Sequence, residues 1–305
     1  MILYSSQSDK LKAINENPFK LEKDIQKLFE GNLSILMGLE LVKSEFVIKN
    51  RRIDTLAFDK QTNGFVIVEY KRDRNISVID QGFSYLSLML ENKAEFLVEY
   101  NESLSRNLKR DDIDWSQSRV AFVSPNFTEN QKMAVNFQDV AIELWEVRRY
   151  ENDSISFNQI RKTSKESIKQ IADPKGDIDT IAKEIIVYKE EDHLAKGSDA
   201  TRELFEMIKS RILELDGLEM NLTKFYVGFK LNNKVITDVE IQKNSMKHRI
   251  NLKKGQLDDP KSLFTDVSEK GHWGLGDYET KYDTEVDIDY LMSLVKQSYN
   301  YFKKN

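Results

Sequence analysis

The chain contains no cysteine among its 305 residues, which excludes disulfide bonds, thiolate metal sites and a cysteine nucleophile. Its three histidines, His193, His248 and His272, are far apart in the sequence, which argues against a histidine-rich zinc site and histidine-centred catalysis. Proline occurs only four times, and no low-complexity tract or internal repeat is present, so there is little room for disordered segments. A P-loop and a GxGxxG fingerprint are also absent.

Long apolar runs are missing as well, since none approaches the roughly 20 residues that are needed to cross a bilayer. The first residues, MILYSSQSDKLK, lack the basic start and the long apolar core of a signal peptide. We therefore expect a cytoplasmic protein. There is no excess of positive charge, because the formal net charge is −5, so nucleic acid would have to bind at a local basic patch. The 40% of hydrophobic residues are sufficient for two globular domains of ordinary size.

The most informative stretch is residues 51–85, RRIDTLAFDKQTNGFVIVEYKRDRNISVIDQGFSY. Its two apolar runs, rich in branched and aromatic residues, predict neighbouring strands over 53–58 and 65–71, joined at the turn signal Asn63-Gly64. Side chains alternate across a strand, so Glu69 and Lys71 share one face. A hairpin would bring Asp54 opposite Glu69. The pattern thus predicts two acids and a lysine at one end of an apolar sheet.

Two interpretations of these charges stay open. Burying carboxylates costs several kcal/mol unless something compensates, and a divalent cation is the usual compensation. Alternatively, the charges lie where the strands run out into solvent. The same choice applies to Glu22 in the first predicted helix and to Gln81 and Tyr85 in the helix after the hairpin. They are either plain helix-surface residues or neighbours of the acids, where Gln81 would orient a water and Tyr85 would contact a phosphate or a base.

Residues 1–150 are predicted to form an α/β domain. The expected elements are a helix from Pro18 to Phe29, a strand from Glu45 to Lys49, the two central strands, helices over 78–91 and 93–108, a strand over 120–124, a helix capped by Thr128, and a strand from Val140 to Trp145. Residues 1–17 are expected to form one short strand and a polar lead-in, and residues 31–42 a loop or a turn of helix. Residues 151–198 are predicted to be a polar connector with a bridging helix from Ile178 to Val187.

Residues 199–305 are predicted to form a smaller α+β domain with an antiparallel sheet. Its elements are an amphipathic helix over 199–216, strands over 225–230, 235–241 and 246–252 with a turn at Asn232-Asn233, a strand near 278–286, and a helix over 288–302. A basic stretch provides either a nucleic-acid face or the solvated side of the sheet, and consists of Lys243, Lys247, His248, Arg249, Lys253 and Lys254. Trp273, in a glycine-rich loop, would stack on a ligand, bind a partner or cover the core.

The motifs of residues 18–146 resemble the PD-(D/E)XK nuclease superfamily, in the branch that includes NucS-type endonucleases. The matching residues are Glu22 in the first helix, Asp54 in the R-x-D strand, Glu69-Tyr70-Lys71 as the E-x-K element, and Gln81 through Tyr85 as the Q-x-x-x-Y element. Ile53 stands where this class usually has a proline. The resemblance implies a restriction-endonuclease-like α/β domain with a central mixed sheet. The C-terminal part resembles DUF5655, a domain of unknown function that recurs in bacterial proteins once labelled predicted transport proteins.

The nuclease resemblance implies a metal-dependent nuclease that hydrolyses phosphodiester bonds of nucleic acid, DNA rather than RNA. Asp54, Glu69 and the carbonyl of Tyr70 would hold Mg²⁺ or Mn²⁺, and Glu22 would complete the metal shell directly or through water. Lys71 and Gln81 would complete the catalytic set. The expected substrate contacts are Arg51, Arg52, Arg72, Arg74 and Tyr85.

The alternative function is a nuclease-like module in a defence or repair system that binds nucleic acid or protein without cutting. In either case the C-terminal domain would recognise substrate or a protein partner, or form a homodimer.

Overall fold

The computed structural model describes residues 3–7, 10–72, 78–170, 181, 183–269 and 275–304. The chain divides into two compact units, one made of Met1–Asp59 and Asn63–Val187, the other of Lys60–Thr62 and Tyr188–Asn305. The functional division that the sequence predicts at residues 150 and 198 stays a prediction. Among the described residues, no helix combines the length and the apolar character that crossing a membrane requires.

The first unit is built on one mixed sheet. Its strands are β1 (Leu3–Gln7), β2 (Lys10–Ile14), β3 (Glu40–Ile48), β4 (Arg51–Asp59), β5 (Gly64–Tyr70), β6 (Arg119–Ser124), β7 (Ile142–Arg149) and β8 (Ile155–Gln159). Its helices are α1 (Glu22–Glu30), α2 (Leu33–Met37), α3 (Val78–Glu91), α4 (Lys93–Leu104) and α5 (Glu129–Ala134). Six strands pair in the order β3-β4-β5-β6-β7-β8, parallel at β5–β6 and β6–β7 and antiparallel elsewhere, which confirms the predicted mixed sheet. β1 and β2 form a separate hairpin.

Both faces of this sheet are covered, which explains why β5 is buried along its whole length. Leu56 and Ile67 pack in one cluster with the apolar residues of α3 and α4. Val66 belongs to the cluster on the opposite face, with the apolar residues of α1 and α2. Since alternate residues of a strand point to opposite faces, Asp54 and Glu69 lie on the α3 face.

Several element boundaries differ from the sequence predictions. The helix predicted over 93–108 ends at Leu104, because Ser105 has a left-handed backbone with φ of 51°. Residues 31–42 contain α2 and the beginning of β3, which starts at Glu40 and not at Glu45. The strand predicted from Val140 to Trp145 is β7, Ile142–Arg149.

Two strands of the first unit were not predicted, namely β2 in the polar lead-in and β8 in the stretch predicted as a connector. β2 exposes four of its five side chains and β8 has no buried residue, so neither has the buried apolar run that identifies the central strands. Part of the predicted bridging helix lies outside the described residues. Its predicted end is wrong, because residues 185–187 are not helical.

The second unit has a separate antiparallel sheet, as predicted. Its elements are α6 (Glu190–Leu194), α7 (Asp199–Leu213), β9 (Leu218–Leu222), β10 (Val227–Leu231), β11 (Lys234–Ile241), β12 (Met246–Ile250), β13 (Thr265–Asp266), β14 (Tyr278–Tyr282) and α8 (Ile288–Lys304). The strands pair in the order β13-β14-β12-β11-β10-β9, and α7 and α8 share one apolar core with them. Asn232, with φ of 55°, forms the predicted turn between β10 and β11. β9 was not predicted. Trp273 and His272 lie outside the described residues.

The basic stretch at β12 is not a continuous cationic surface. Arg249 is only 5% exposed, and its guanidinium lies 2.6 Å from Asp238, 2.9 Å from Glu240 and 3.1 Å from Glu279. His248 is fully buried, and burial lowers its pKa to about 3, so it is neutral. For Arg249 and His248 both alternatives, a nucleic-acid face and the solvated side of the sheet, are therefore wrong. Three lysines of the stretch are each paired with a carboxylate: Lys247, Lys253 and Lys254.

Candidate active site

Asp54 and Glu69 face each other where the ladder between β4 and β5 ends. The last backbone pair is Thr55–Val68, and beyond it carboxylates replace carbonyls as hydrogen-bond acceptors. Glu69 Oε1 accepts the N–H of Asp54 at 3.1 Å, and Asp54 Oδ2 accepts the N–H of Tyr70 at 3.1 Å. Each carboxylate is thus fixed by the strand that carries the other, as the predicted hairpin requires.

Both acids are held in a poorly solvated environment. Glu69 is only 2% exposed. Burial, followed by the negative charge of Asp54, raises the pKa of Glu69 from 4.5 to about 7. Burial also raises the pKa of Asp54, although the hydrogen bond from Tyr70 and the charge of Lys71 act in the opposite direction. The pair therefore carries more negative charge than its surroundings compensate.

Helix α3 contributes polar side-chain contacts to Glu69. Gln81 Nε2 donates to Glu69 Oε2 at 3.1 Å and to the hydroxyl oxygen of Tyr85 at 3.2 Å. Tyr85 in turn donates its hydroxyl to the carbonyl of Arg52 at 3.2 Å. Burial, with the charge of Glu69, raises the pKa of Tyr85 to about 12, so the hydroxyl keeps its proton. The structure thus brings the Q-x-x-x-Y residues to the acids.

Lys71 completes this group from the end of β5. Its ammonium nitrogen lies 3.4 Å from Glu69 Oε2, the same oxygen that Gln81 contacts. The backbone N–H of Lys71 donates to the carbonyl of Val123 at 2.9 Å, which fixes the residue against β6. Five of the predicted residues therefore meet at one sheet edge: Asp54, Glu69, Lys71, Gln81 and Tyr85.

Glu22 lies at the start of α1. Among the described residues, no hydrogen bond joins its side chain to Asp54 or Glu69. Its Oε1 accepts the backbone N–H of Arg72 at 3.0 Å. The guanidinium of Arg72 donates to the carbonyl of Lys20, also at 3.0 Å. Glu22 and Arg72 therefore link α1 to the end of β5, beside the site.

The other predicted substrate contacts lie on the surface next to the site. Arg51 and Arg52 are exposed at the start of β4. The side chain of Arg52 is not isolated, because its Nε lies 3.0 Å from Glu45 Oε2. Arg74 lies outside the described residues.

The oxygen donors of the site fit a divalent cation. In the part of the chain that is described, no three histidine, aspartate or glutamate side chains are arranged to hold a metal ion, so Glu22 does not form such a set with Asp54 and Glu69. Two carboxylates are present, and Mg²⁺ is commonly held by one or two carboxylates together with waters and substrate phosphates. Burial raises the pKa values of both acids, and a bound cation would stabilise their charged forms. Ligation by Glu22 and by the Tyr70 carbonyl stays a prediction.

Gln26 is a contact of the site that the sequence analysis did not identify. It is buried on α1, and its Nε2 donates to the carbonyl of Asp54 at 2.8 Å and to Glu30 Oε1 at 2.9 Å. Thr55 Oγ1 also donates to Glu30 Oε1, at 2.6 Å. These bonds fix α1 against β4 directly behind Asp54. In the sequence, Gln26 only flanks the apolar stripe of α1, a position that equally suits a solvated side chain.

Comparisons with known proteins match both parts of the chain. Residues 190–301 match the family described as "Domain of unknown function (DUF5655)", which confirms the predicted C-terminal domain. A protein of Haemophilus influenzae, described as "Uncharacterized protein", is 52% identical over 300 residues, which are 98% of this chain and 99% of the relative.

Two solved structures are similar to part of the chain. A structure described as an EndoMS-dsDNA2 complex has a TM-score of 0.28 at 18% identity, and covers 41% of this chain and 45% of its own. A repair endonuclease from Pyrococcus abyssi has a TM-score of 0.24 at 20% identity, and covers 43% and 48%. This chain thus spans less than half the length of each solved chain.

Proposed function

The chain belongs to the same family as the Haemophilus influenzae protein, whose description names no activity, and we propose from its own site that it is a metal-dependent nuclease. The reaction is hydrolysis of phosphodiester bonds in nucleic acid, with DNA as the preferred substrate and Mg²⁺ or Mn²⁺ as the cofactor. The N-terminal unit is proposed to be a PD-(D/E)XK nuclease domain.

The observation that carries this proposal is the pairing of Asp54 and Glu69. Two adjacent carboxylates whose pKa values are both raised by burial are unfavourable in a folded protein unless they bind something positive. Lys71 and Gln81 both direct hydrogen-bond donors to Glu69 Oε2. Such a set of acids, lysine and amide at one sheet edge suits phosphoryl chemistry better than it suits core packing.

Each side chain has a definite task in this mechanism. Asp54 and Glu69 would hold the cation, and Gln81 keeps Glu69 in the required rotamer. A bound Mg²⁺ supplies polarisation of the phosphoryl group and lowers the pKa of a water. Lys71 Nζ positions the attacking water and stabilises the negative charge that develops on the phosphate oxygens. Tyr85 keeps its proton, and its hydroxyl holds the carbonyl of Arg52 next to the substrate path.

Substrate binding is assigned to the basic residues at the strand ends, Arg51, Arg52, Arg72 and Arg74. These side chains would contact backbone phosphates, so they would contribute affinity and salt dependence without reading sequence. The DUF5655 domain is proposed to recognise the substrate or a protein partner, or to form a homodimer. We also propose a cytoplasmic location for the protein.

The direct test is cleavage of labelled single-stranded, duplex and flapped DNA and RNA by the full-length chain. We expect cutting with Mg²⁺ or Mn²⁺, none with EDTA, and a loss of at least about a hundredfold in Glu69→Gln and in Lys71→Met. Glu146→Gln is a matched control, because Glu146 is a half-buried carboxylate of the same sheet that pairs with Lys132 at 3.7 Å.

Activity that is equal in Glu69→Gln and wild type would show that a contaminant or another site cuts. Binding of nucleic acid without any metal-dependent cutting would leave the non-catalytic binding module as the function. DNA cleaved no better than RNA would correct the proposed substrate class.

A further inference from the structure

Beside the paired acids, three charged side chains form a compact group, two of which the sequence analysis did not single out. Lys23 of α1 and Arg52 of β4 both pair with Glu45 of β3. Nζ of Lys23 lies 2.6 Å from Glu45 Oε1, and Nε of Arg52 lies 3.0 Å from Glu45 Oε2. Each carboxylate oxygen thus holds one cation. We call these three residues the Glu45 cluster.

The Glu45 cluster is connected to the acids by the backbone and by two side chains. Arg52 precedes Asp54 by two positions on β4, so the two side chains leave the strand on the same face. The carbonyl of Arg52 accepts the hydroxyl of Tyr85. Lys23 donates to Gln26 Oε1 at 3.1 Å, and Gln26 Nε2 donates to the carbonyl of Asp54 at 2.8 Å. An anion held by Lys23 and Arg52 would therefore lie beside the catalytic acids.

The backbone of Glu45 is unusual for a residue inside a strand. Its φ is 52°, a left-handed conformation that non-glycine residues adopt at a cost of about 1–2 kcal/mol. The pairs Ser44–Thr55 and Phe46–Ile53 place Glu45 opposite Asp54, but the ladder is not formed between these two residues. A local irregularity is thus maintained where a carboxylate neutralises two exposed cations.

The carboxylate of Glu45 competes with any anion from solvent for the positive charges of Lys23 and Arg52. The hydrogen bond from Lys23 lowers the pKa of Glu45, and the charge of Arg52 acts in the same direction, so Glu45 is ionised at neutral pH. The side chains of Lys23 and Arg52 are 48% and 69% exposed, so a phosphate can reach both. An arginine fork and a lysine ammonium are the two common binders of phosphate oxygens.

We propose that Lys23 and Arg52 form a subsite for one backbone phosphate of the nucleic acid, and that Glu45 is the internal counterion which this phosphate displaces. The inference rests on the proposed nuclease function and adds the position at which the substrate backbone passes the acids. Displacement of a carboxylate reduces the affinity of single anions. A polyanion with several simultaneous contacts is less affected, because it also releases its condensed counterions.

The test measures binding by fluorescence anisotropy, with a labelled single-stranded DNA and the matching duplex as probes. The full chain is used in EDTA, over roughly 50 to 200 mM salt, so that binding is observed without cleavage. We expect Lys23→Ala and Arg52→Ala each to weaken binding about threefold to tenfold at low salt. Each should also reduce the slope of log K against log salt by about one. Glu45→Gln should tighten binding about twofold to fivefold.

A second ion pair provides the matched control. Lys43 Nζ lies 2.9 Å from Glu99 Oε1, and the Lys43 side chain is 49% exposed, nearly the same as Lys23. Glu99→Gln, at a residue of α4, therefore makes the same change in net charge, and it releases a lysine of similar exposure that lies two positions from Glu45 on β3. An equal gain of affinity in Glu99→Gln and Glu45→Gln would overturn the proposal.

Unchanged salt slopes in both Lys23→Ala and Arg52→Ala would also overturn it. Failure of the nuclease proposal is a different result, namely the absence of metal-dependent cleavage by the wild-type chain.

Discussion

Gly82 and Ile142 are packed so closely that a Cβ atom on the glycine would lie 2.6 Å from Ile142 Cδ1. The same Cβ would lie 3.3 Å from the ring of Phe122, and both Ile142 and Phe122 are fully buried. Neither neighbour has much room to rotate away. Because Gln81 is the preceding residue of α3, this close contact sets the distance from its amide to Glu69.

Gly82→Ala tests this coupling between packing and catalysis. Overpacking costs about 1–3 kcal/mol, and alanine regains about 1 kcal/mol of helix propensity, so we expect a net loss of up to about 2 kcal/mol. Cleavage should fall about tenfold, since Gln81 is displaced from Glu69. In Ile142→Val the clashing atom is absent, so a double-mutant cycle should give a coupling of at least about 0.5 kcal/mol. Strictly additive effects in urea unfolding would contradict the contact.

The raised pKa of Glu69 predicts how stability depends on pH in the metal-free protein. The folded protein holds the Glu69 proton up to about pH 7, whereas an exposed glutamate loses it near 4.5, so the folded state binds this proton more tightly. Stability from this group is therefore fully present below about pH 4.5 and declines as the pH rises to about 7. Glu69→Gln removes the titration, and should raise the free energy of unfolding above pH 7 by up to about 3 kcal/mol. Urea unfolding in EDTA at several pH values measures this; a variant less stable than wild type at pH 8 would contradict it.

Added metal should reduce that difference in stability between wild type and Glu69→Gln. Mg²⁺ at about ten to thirty times its Kd stabilises a protein with one site by about 1.5–2 kcal/mol. For a unit of this size, each kcal/mol corresponds to a rise in Tm of about 2–4 °C. We expect this rise in the wild type, and little change in Glu69→Gln or Asp54→Asn. Thermal unfolding with and without EDTA makes the comparison, and equal rises in all three proteins would place the metal elsewhere.

The sequence predicted the centre of the site well because two independent patterns coincide there. The alternation of residues in β4 and β5 puts Asp54 and Glu69 on one face, and the hairpin register puts them opposite each other. Gln81 and Tyr85 follow from the four-residue spacing of a helix. These relations are local or involve neighbouring strands, so no knowledge of the remaining fold is needed.

Contacts that depend on tertiary packing were not predictable in the same way. Gln26 reaches the carbonyl of Asp54 only because α1 lies across β4, which no local pattern specifies. The sequence predicted Glu45 as the first residue of a strand. In the structure β3 begins five residues earlier, and Glu45 has a left-handed backbone within it. Arg249 shows the opposite error, since a strand of basic residues suggests a surface and the structure buries its guanidinium among three acids.

Arg249→Met distinguishes a structural role of this arginine from a role in nucleic-acid binding. Asp238 is 1% exposed, and burial raises its pKa to about 6 even with the guanidinium present. Removal of one partner of a buried ion pair costs about 3–5 kcal/mol, because the other charge is left uncompensated. The folded pKa of Asp238 lies above its ordinary value, so stability falls as the pH rises through 6, and the loss in Arg249→Met should be largest above that pH.

Two further variants sharpen the result for Arg249. Lys253→Met removes a 74% exposed lysine that lies 3.6 Å from Asp277, and should change the free energy of unfolding by less than about 0.5 kcal/mol. Asp238→Leu combined with Arg249→Met should recover most of the lost stability, because no buried charge remains unpaired. Urea unfolding at about pH 5 and pH 8 reports all three. If Arg249→Met is as stable as wild type but binds DNA more weakly, the arginine contacts nucleic acid. Its ion pairs with the three acids then do not contribute to stability.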